Sequence, residues 1–243
     1  MKKVGLIVGR EKSFPESLIK SINERGKGEC TAEYVKLGGV RHESDEFGVH
    51  YDLIIDRISH EVPFYRAYLK RAALNGTIVI NNPFWWSADD KFFNYSLAAR
   101  LGVAIPRTIL LPQKDYIEGI THESLRNLEF PLNWQEIVDY VGLPAILKPF
   151  DGGGCKNVSR VNSLAELWTE YDKSGTLCMT LQQFIPFDQF VRCYGIGQEN
   201  VLIMPYDPTK KYLSGEQYFD YPEYLVPELA LRITGDVQTI CKA

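Results

Sequence analysis

Ala145-Ile146-Leu147-Lys148-Pro149-Phe150-Asp151-Gly152-Gly153-Gly154-Cys155 is the stretch that decides how this chain folds. A short apolar run leads into a lysine, a proline stops the strand, and three glycines follow. Proline has no N–H to give to a ladder, so Pro149 fits the end of a strand and not its middle. Gly152, Gly153 and Gly154 can take positive φ and expose bare backbone N–H groups. Successive N–H groups in such a turn form a concavity that binds anions, phosphate above all. Lys148 would extend its ammonium in the same direction. The stretch reads either as a phosphate clamp or as a surface hairpin with a solvated lysine. It is not a P-loop, in which the lysine follows the glycines and Ser or Thr stands beside it. Nor does a Gly-x-Gly-x-x-Gly open a helix after a strand, as the dinucleotide fingerprint requires.

Toward the N-terminus the pattern changes. Val4 to Val8 is a short apolar strand. Ser13-Phe14-Pro15-Glu16 starts a helix, with Pro15 in its first turn. Leu18, Ile19 and Ile22 give that helix one apolar face, and Gly26 ends it. Cys30 to Leu37 and Asp52 to Asp56 read as further strands. Pro63 opens a second helix with Tyr65, Tyr68, Leu69 and Ala72 at helical spacing, and Gly76 to Ile80 is a fourth strand. Strands alternating with helices imply parallel pairing in an α/β layer. Residues 1–83 are therefore expected to form an α/β domain, and residues 84–243 a second domain. Ligands of open α/β sheets sit beyond the carboxyl ends of the strands. Asp56-Arg57 and Asn81-Asn82 are thus either edges of a site or ordinary turn residues.

The second domain begins with Ser87-Ala88-Asp89-Asp90, read as a helix cap with Asp90 standing in for the usual Glu. Lys91 falls in the first turn, where the helix dipole prefers negative charge. An anionic ligand on free helix N–H groups would explain it; simple solvation would too. Gly102 closes this helix, and Arg107 to Leu111 forms a strand after Pro106. Residues 112–132 show no periodicity. Asn133 caps a helix carrying Trp134, Ile137, Val138 and Val141, closed by Gly142. Val158 to Val161 is expected to hairpin back on the opening strand. Ser163-Leu164-Ala165-Glu166 spells a capping box, with Trp168 expected in the core of the helix it opens and Gly175 expected to end that helix. Thr176 to Ile185 is the next strand. Val191 to Ile196 and Val201 to Met204 flank Gly197-Gln198-Glu199-Asn200 as a hairpin, and Glu228 to Ala243 is helical, with Gly235 as a weak point. This half reads as α+β, built on antiparallel pairs.

Composition narrows the function. The net charge is −4 over 243 residues, which does not suggest a nucleic-acid partner. Five scattered cysteines read as reduced thiols in a cytoplasmic protein. No stretch has the length or apolarity of a signal peptide or a membrane span. His42, His50, His60 and His122 have no metal-like spacing and read as solvated loop residues.

Four stretches in order carry a resemblance: Asp90-Lys91 with Gly102-Val103-Ala104-Ile105-Pro106-Arg107-Thr108; Ile146 to Gly154; Leu181-Gln182-Gln183-Phe184-Ile185; and Phe190-Val191-Arg192-Cys193-Tyr194-Gly195. The sequence resembles the ATP-grasp superfamily of carboxylate–amine ligases, in particular its glutathione synthetase and ribosomal-protein glutamate ligase branches. That resemblance implies an ATP-grasp fold behind an N-terminal Rossmann-like α/β pre-domain. It implies that Lys91 and Lys148 touch the phosphates of ATP and that Gly152, Gly153 and Gly154 form a flexible loop closing over them. Gln182, Gln183, Phe184 and Ile185 would be the adenine edge, mostly through backbone groups. Asp188 would hold the ribose, with Gln189 as the other choice, and Arg192 would act at the acyl phosphate. Gln183 departs from the acid of many relatives, and Cys155 and Lys156 from their small residues.

The implied activity is ATP-dependent ligation of a small carboxylate to an amine or thiol, an amino acid or peptide among them. The alternatives are a nucleotide-binding module without catalysis and a plain α/β binding protein. Relatives hold Mg²⁺ on strands that follow a helix like Glu228 to Ala243. Asp207, Glu216, Asp220 and Glu223 lie in loop-like sequence, so the resemblance leads us to expect a chain short of its metal-binding part and inactive alone.

Overall fold

The computed structural model describes residues 1–42, 50–84, 90–210, 216–219 and 224–243. The chain forms two units, Met1–Asp89 and Asp90–Ala243.

The first unit runs β1 (Lys2–Ile7), α1 (Ser13–Arg25), β2 (Cys30–Tyr34), β3 (Leu53–Asp56), α2 (Pro63–Leu74) and β4 (Ile78–Ile80). The strands lie in the order β2-β1-β3-β4, all parallel. Helices cover both faces, which is why the strands are nearly continuous apolar runs. Val4, Leu6 and Ala32 pack against Leu18, Ile19 and Ile22 of α1. Ile7 and Ile54 pack against Leu69 and Ala72 of α2. The α/β reading holds, with strands two or three residues shorter than their apolar stretches at β2 and β4. The turn residues at the carboxyl ends have local work. Asp56 accepts from the backbone N–H of Ile58 and Ser59 at 3.1 and 2.9 Å. Arg57 donates through Nε to Glu11 at 3.1 Å, and Asn82 accepts from the Phe84 N–H at 3.0 Å.

The second unit opens with α3 (Lys91–Arg100) and β5 (Thr108–Leu111), followed by a 3-10 turn at His122–Leu125 and α4 (Trp134–Val141). Then come β6 (Ala145–Pro149), β7 (Ser159–Val161), α5 (Leu164–Asp172), β8 (Met179–Gln183), β9 (Val191–Ile196), β10 (Asn200–Pro205) and α6 (Pro227–Lys242). One sheet has the order β5-β8-β6-β7 and a second holds β9 and β10; every pair is antiparallel. Side chains alternate across a strand, and the main sheet shows it plainly. Leu111, Ala145, Leu147, Val161 and Leu181 point into a core completed by Ile137 and Val141 of α4 and Leu167 of α5. The intervening residues Thr108, Ile146, Lys148, Thr180 and Gln182 stand on the opposite face.

The hairpin and α6 pack closely. A Cβ on Gly195 of β9 would overlap the Cys241 sulfur of α6. Among the described residues no helix is long and apolar enough to cross a membrane.

Four details differ from the sequence reading. Trp168 is half exposed: the buried positions of α5 are Leu167 and Tyr171, four apart, and the residue after a buried one turns about 100° away. Asp90 is itself the N-cap of α3, accepting from the Phe93 N–H at 2.8 Å; Ser87, Ala88 and Asp89 lie outside the described residues. The box at α5 is half formed. Ser163 accepts from the Glu166 N–H, but Glu166 reaches back to the Asn162 N–H at 2.8 Å, one residue further than a box requires. Finally, α5 stops at Asp172 with Lys173 as its cap, before Gly175.

Candidate functional site

The site is built on the open face of the main sheet. Lys148 is the last side chain of β6 on that face before Pro149 ends the strand. Its ammonium donates to the Tyr95 hydroxyl at 2.9 Å and to Gln182 Oε1 at 2.8 Å, and it lies 5.2 Å from the centre of the Tyr95 ring. Among the described residues no carboxylate pairs with it. Tyr95 comes from α3, one turn after Lys91, so the two share a helix face. Lys91 donates its backbone N–H to the Phe150 carbonyl at 2.7 Å and its ammonium to the Gly152 carbonyl. The start of α3 is thereby tied to the glycine turn. The N–H groups of Lys91 and Phe93 have protein partners, and the ammonium's bond to a neutral carbonyl leaves its charge uncancelled by that contact.

Residues 151–158 are all exposed. Gly152 and Gly154 have φ of 75° and 70°, and Cys155 and Asn157 follow at 58° and 54°. Left-handed residues in such a run turn successive N–H groups toward one side, as an anion nest does. Asparagine tolerates this region; cysteine adopts it rarely. No atom lies within 4 Å of where a Cβ would stand on Gly152, Gly153 or Gly154, so the side-chain side of the turn is open.

Beside Lys148 lies an open cleft of about 650 Å³. Its walls are Ile105, Pro106, Ile146, Phe184, Phe187 and Phe190, an apolar slot of the kind a purine ring fills. Gln182 and Gln183 also line it. Because Gln182 both lines the slot and accepts from Lys148, the ammonium stands at the slot's end. The Gln183 and Phe184 N–H groups donate within the protein, to the Arg107 carbonyl at 2.8 Å and the Pro144 carbonyl at 3.1 Å. Among the described residues the Phe184 carbonyl and the Ile185 N–H make no hydrogen bond. The hydrogen-bonding edge of the slot thus narrows to those two groups. Arg160 of β7 lies over the Phe184 ring, 4.2 Å from its centre.

Asp188 is exposed and has no partner among the described residues. Gln189 instead donates to the Tyr224 carbonyl. Arg192 of β9 lies 4.2 Å over the Tyr206 ring and donates to its hydroxyl at 3.2 Å. Tyr206 is buried and touches Phe190, whose ring is 5.7 Å away. Burial pushes the Cys193 thiol up. Cys178 is also raised, by burial first and then by the charges of Asp151 and Asp90, and donates to the Leu111 carbonyl at 3.3 Å.

Among the described residues no three His, Cys, Asp or Glu side chains come together as a metal site. Asp207 accepts from the Thr209 N–H at 2.9 Å and from its hydroxyl. Asp220 and Glu223 lie outside the described residues. Tyr95, Thr108, Arg160 and Tyr206 were not found by sequence reading. Only Tyr95 left a signal there, four residues after Lys91 on one helix face.

This chain has the ATP-grasp fold, with a Rossmann-like unit before it. A RimK-domain ATP-grasp protein from Sphaerobacter thermophilus matches 99% of this chain and 81% of its own at a TM-score of 0.65 and 17% identity. A D-alanine–D-alanine ligase from Bacillus anthracis, solved with ATP, matches 99% and 77% at a TM-score of 0.59 and 16% identity. In sequence, a D-alanine–D-alanine ligase of Ralstonia nicotianae is 31% identical over 114 residues, 42% of this chain and 34% of that enzyme. The aligned part is thus about a third of that relative. No protein-family model matches the chain.

Proposed function

We propose that this protein is an ATP-dependent ligase that activates a small carboxylate as its acyl phosphate and passes it to an amine or thiol. The observation that carries this reading is Lys148: a cation at the end of an apolar slot, held by two neutral oxygens, with no carboxylate among the described residues to neutralise it. An ammonium so placed can make a charge-assisted hydrogen bond to an incoming anion.

In this reading adenine enters between Ile146, Pro106, Phe184 and Phe187. Its amino group donates to the Phe184 carbonyl, and a ring nitrogen accepts from the Ile185 N–H. Asp188 takes the ribose hydroxyls. Lys148 and Lys91 face the phosphates, and the Gly152–Gly154 turn lays its N–H groups over them. Phosphoryl transfer is chiefly positioning and charge neutralisation. The carboxylate attacks the terminal phosphorus and ADP leaves; the amine or thiol then adds to the acyl carbon, and the tetrahedral centre, which Arg192 faces, collapses with loss of inorganic phosphate and of the nucleophile's proton. Magnesium commonly shares the phosphate charge in such reactions. The five free thiols suit a cytoplasmic setting.

The test is calorimetric titration with ADP and ATP, followed by phosphate release from ATP with amino acids and short peptides as acceptors. Binding of ADP with release that depends on both a carboxylate and an amine is the expected result. Binding without such release identifies a nucleotide-binding module, and absence of binding overturns the proposal.

A further inference from the structure

Lys148 is aimed by a chain of hydrogen bonds that begins at the base slot. The Thr108 hydroxyl donates to the Pro106 carbonyl at 2.8 Å. Gln182 Nε2 donates to Thr108 Oγ1 at 2.9 Å. Gln182 Oε1 accepts from Lys148 at 2.8 Å. The polarity of this chain is forced from both ends. A carbonyl only accepts, so the one hydroxyl proton of Thr108 goes to Pro106, and Thr108 can then only accept from Gln182. An ammonium only donates, so Gln182 must turn its oxygen to Lys148. The two constraints agree on one orientation of the amide.

The strand register puts these groups in line, since Thr108 and Ile146 pair with Gln182 on its two sides. With the Tyr95 hydroxyl as second acceptor, two of the three ammonium N–H groups have fixed directions and the third is left for a ligand.

We infer that Thr108 and Gln182 are positioning residues that orient Lys148 toward the phosphates. This inference rests on the reading of the slot as a nucleotide site. Thr108 touches no part of the nucleotide in that reading, so it acts only through Gln182. Loss of its hydroxyl frees the amide to rotate and present its NH₂ to the ammonium, which repels it. Phosphate binding then weakens while base binding stays.

The experiment compares ADP with adenosine, which lacks phosphates, as ligands of the full chain by calorimetry. Four proteins are needed: the wild type, Thr108→Val, Thr108→Ser and Lys148→Ala. The expected result is that Thr108→Val weakens ADP about three- to tenfold, the range of one hydrogen bond, leaves adenosine unchanged, and is rescued by Thr108→Ser. Equal weakening of ADP and adenosine means a general disturbance of the slot and overturns the inference. Unchanged ADP affinity in Thr108→Val, with Lys148→Ala impaired, overturns it while sparing the nucleotide site. Unchanged affinity in Lys148→Ala removes the nucleotide reading itself, and the inference with it.

Discussion

Lys2 in the N-terminal unit and Lys148 in the C-terminal unit are both strand lysines, yet they are held in opposite ways. Lys2 meets the Asp52 carboxylate at 2.8 Å, as Lys3 meets Glu33 at 3.8 Å and Arg57 meets Glu11. Lys148 meets a phenol and an amide, and Arg192 a phenol. In the first unit each of these charges is matched within the protein. In the second, Lys114 and Lys173 are paired with Asp172 and Glu170, but Lys148 and Arg192 are fixed in direction by neutral oxygens and meet no carboxylate among the described residues. A charged group that a fold orients without cancelling is one that a ligand can complete. The same reasoning sets Asp56 and Arg57 aside: both lie at strand ends, and both already have partners.

The comparison can be tested from its strongest consequence to its weakest. Leu181 backs the site face of β8 from the core and is fully buried. Leu181→Ala should cost about 2–5 kcal/mol, read from urea or guanidinium midpoints. A loss under 1 kcal/mol, roughly that of a surface change, would mean the sheet is not the frame of the site. Lys148→Ala should weaken ADP at least about tenfold, since a charge-assisted contact contributes about 1.5–3 kcal/mol, whereas Lys2→Ala should leave ADP affinity unchanged. Equal effects would erase the distinction between the two lysines.

Amides of residues 151–156 should exchange more slowly when ADP is added, because three adjacent glycines lose conformational freedom only on binding. Equal exchange with and without ADP would remove the turn from the phosphate site.

The smallest effect concerns pH. The hydrogen bond from Lys2, and then that from the Lys3 N–H, holds the Asp52 carboxyl below its ordinary value. A lowered carboxylate adds stability that is complete above its unfolded pKa of about 3.9 and is lost as pH falls through the folded one. Asp52→Asn should therefore flatten the acid limb of the stability curve slightly, since exposed pairs are screened by salt. A limb as steep as the wild type's would show that the pair contributes nothing.

Much of this fold could be read from residue spacing. Apolar runs between glycines and prolines marked the strands, and Asn133 and Ser163 marked their helix starts by cap chemistry. Lys148 and the glycine turn stood out as candidates because glycine and lysine at a strand end are unusual in combination. What could not be read were the partners across strands. Thr108 and Gln182 are 74 residues apart, and only register brings them together. Trp168 went astray because apolar character alone does not say which side of a helix a residue takes. Backbone hydrogen bonds have no signature in sequence either: the Gln183 and Phe184 N–H groups donate to the Arg107 and Pro144 carbonyls.

Gly195 carries one further consequence. It has no side chain where the Cys241 sulfur lies, so α6 rests against β9 with nothing between them. Arg192 stands three residues earlier on that strand. A methyl group at position 195 would act as a wedge, and the strand and helix would have to part to admit it. An alanine there, far from any phosphate and chemically inert, is thus a lever on where the arginine sits. The tolerance of this site to mutation is set in part by a hydrogen atom on the opposite side of the hairpin from the guanidinium.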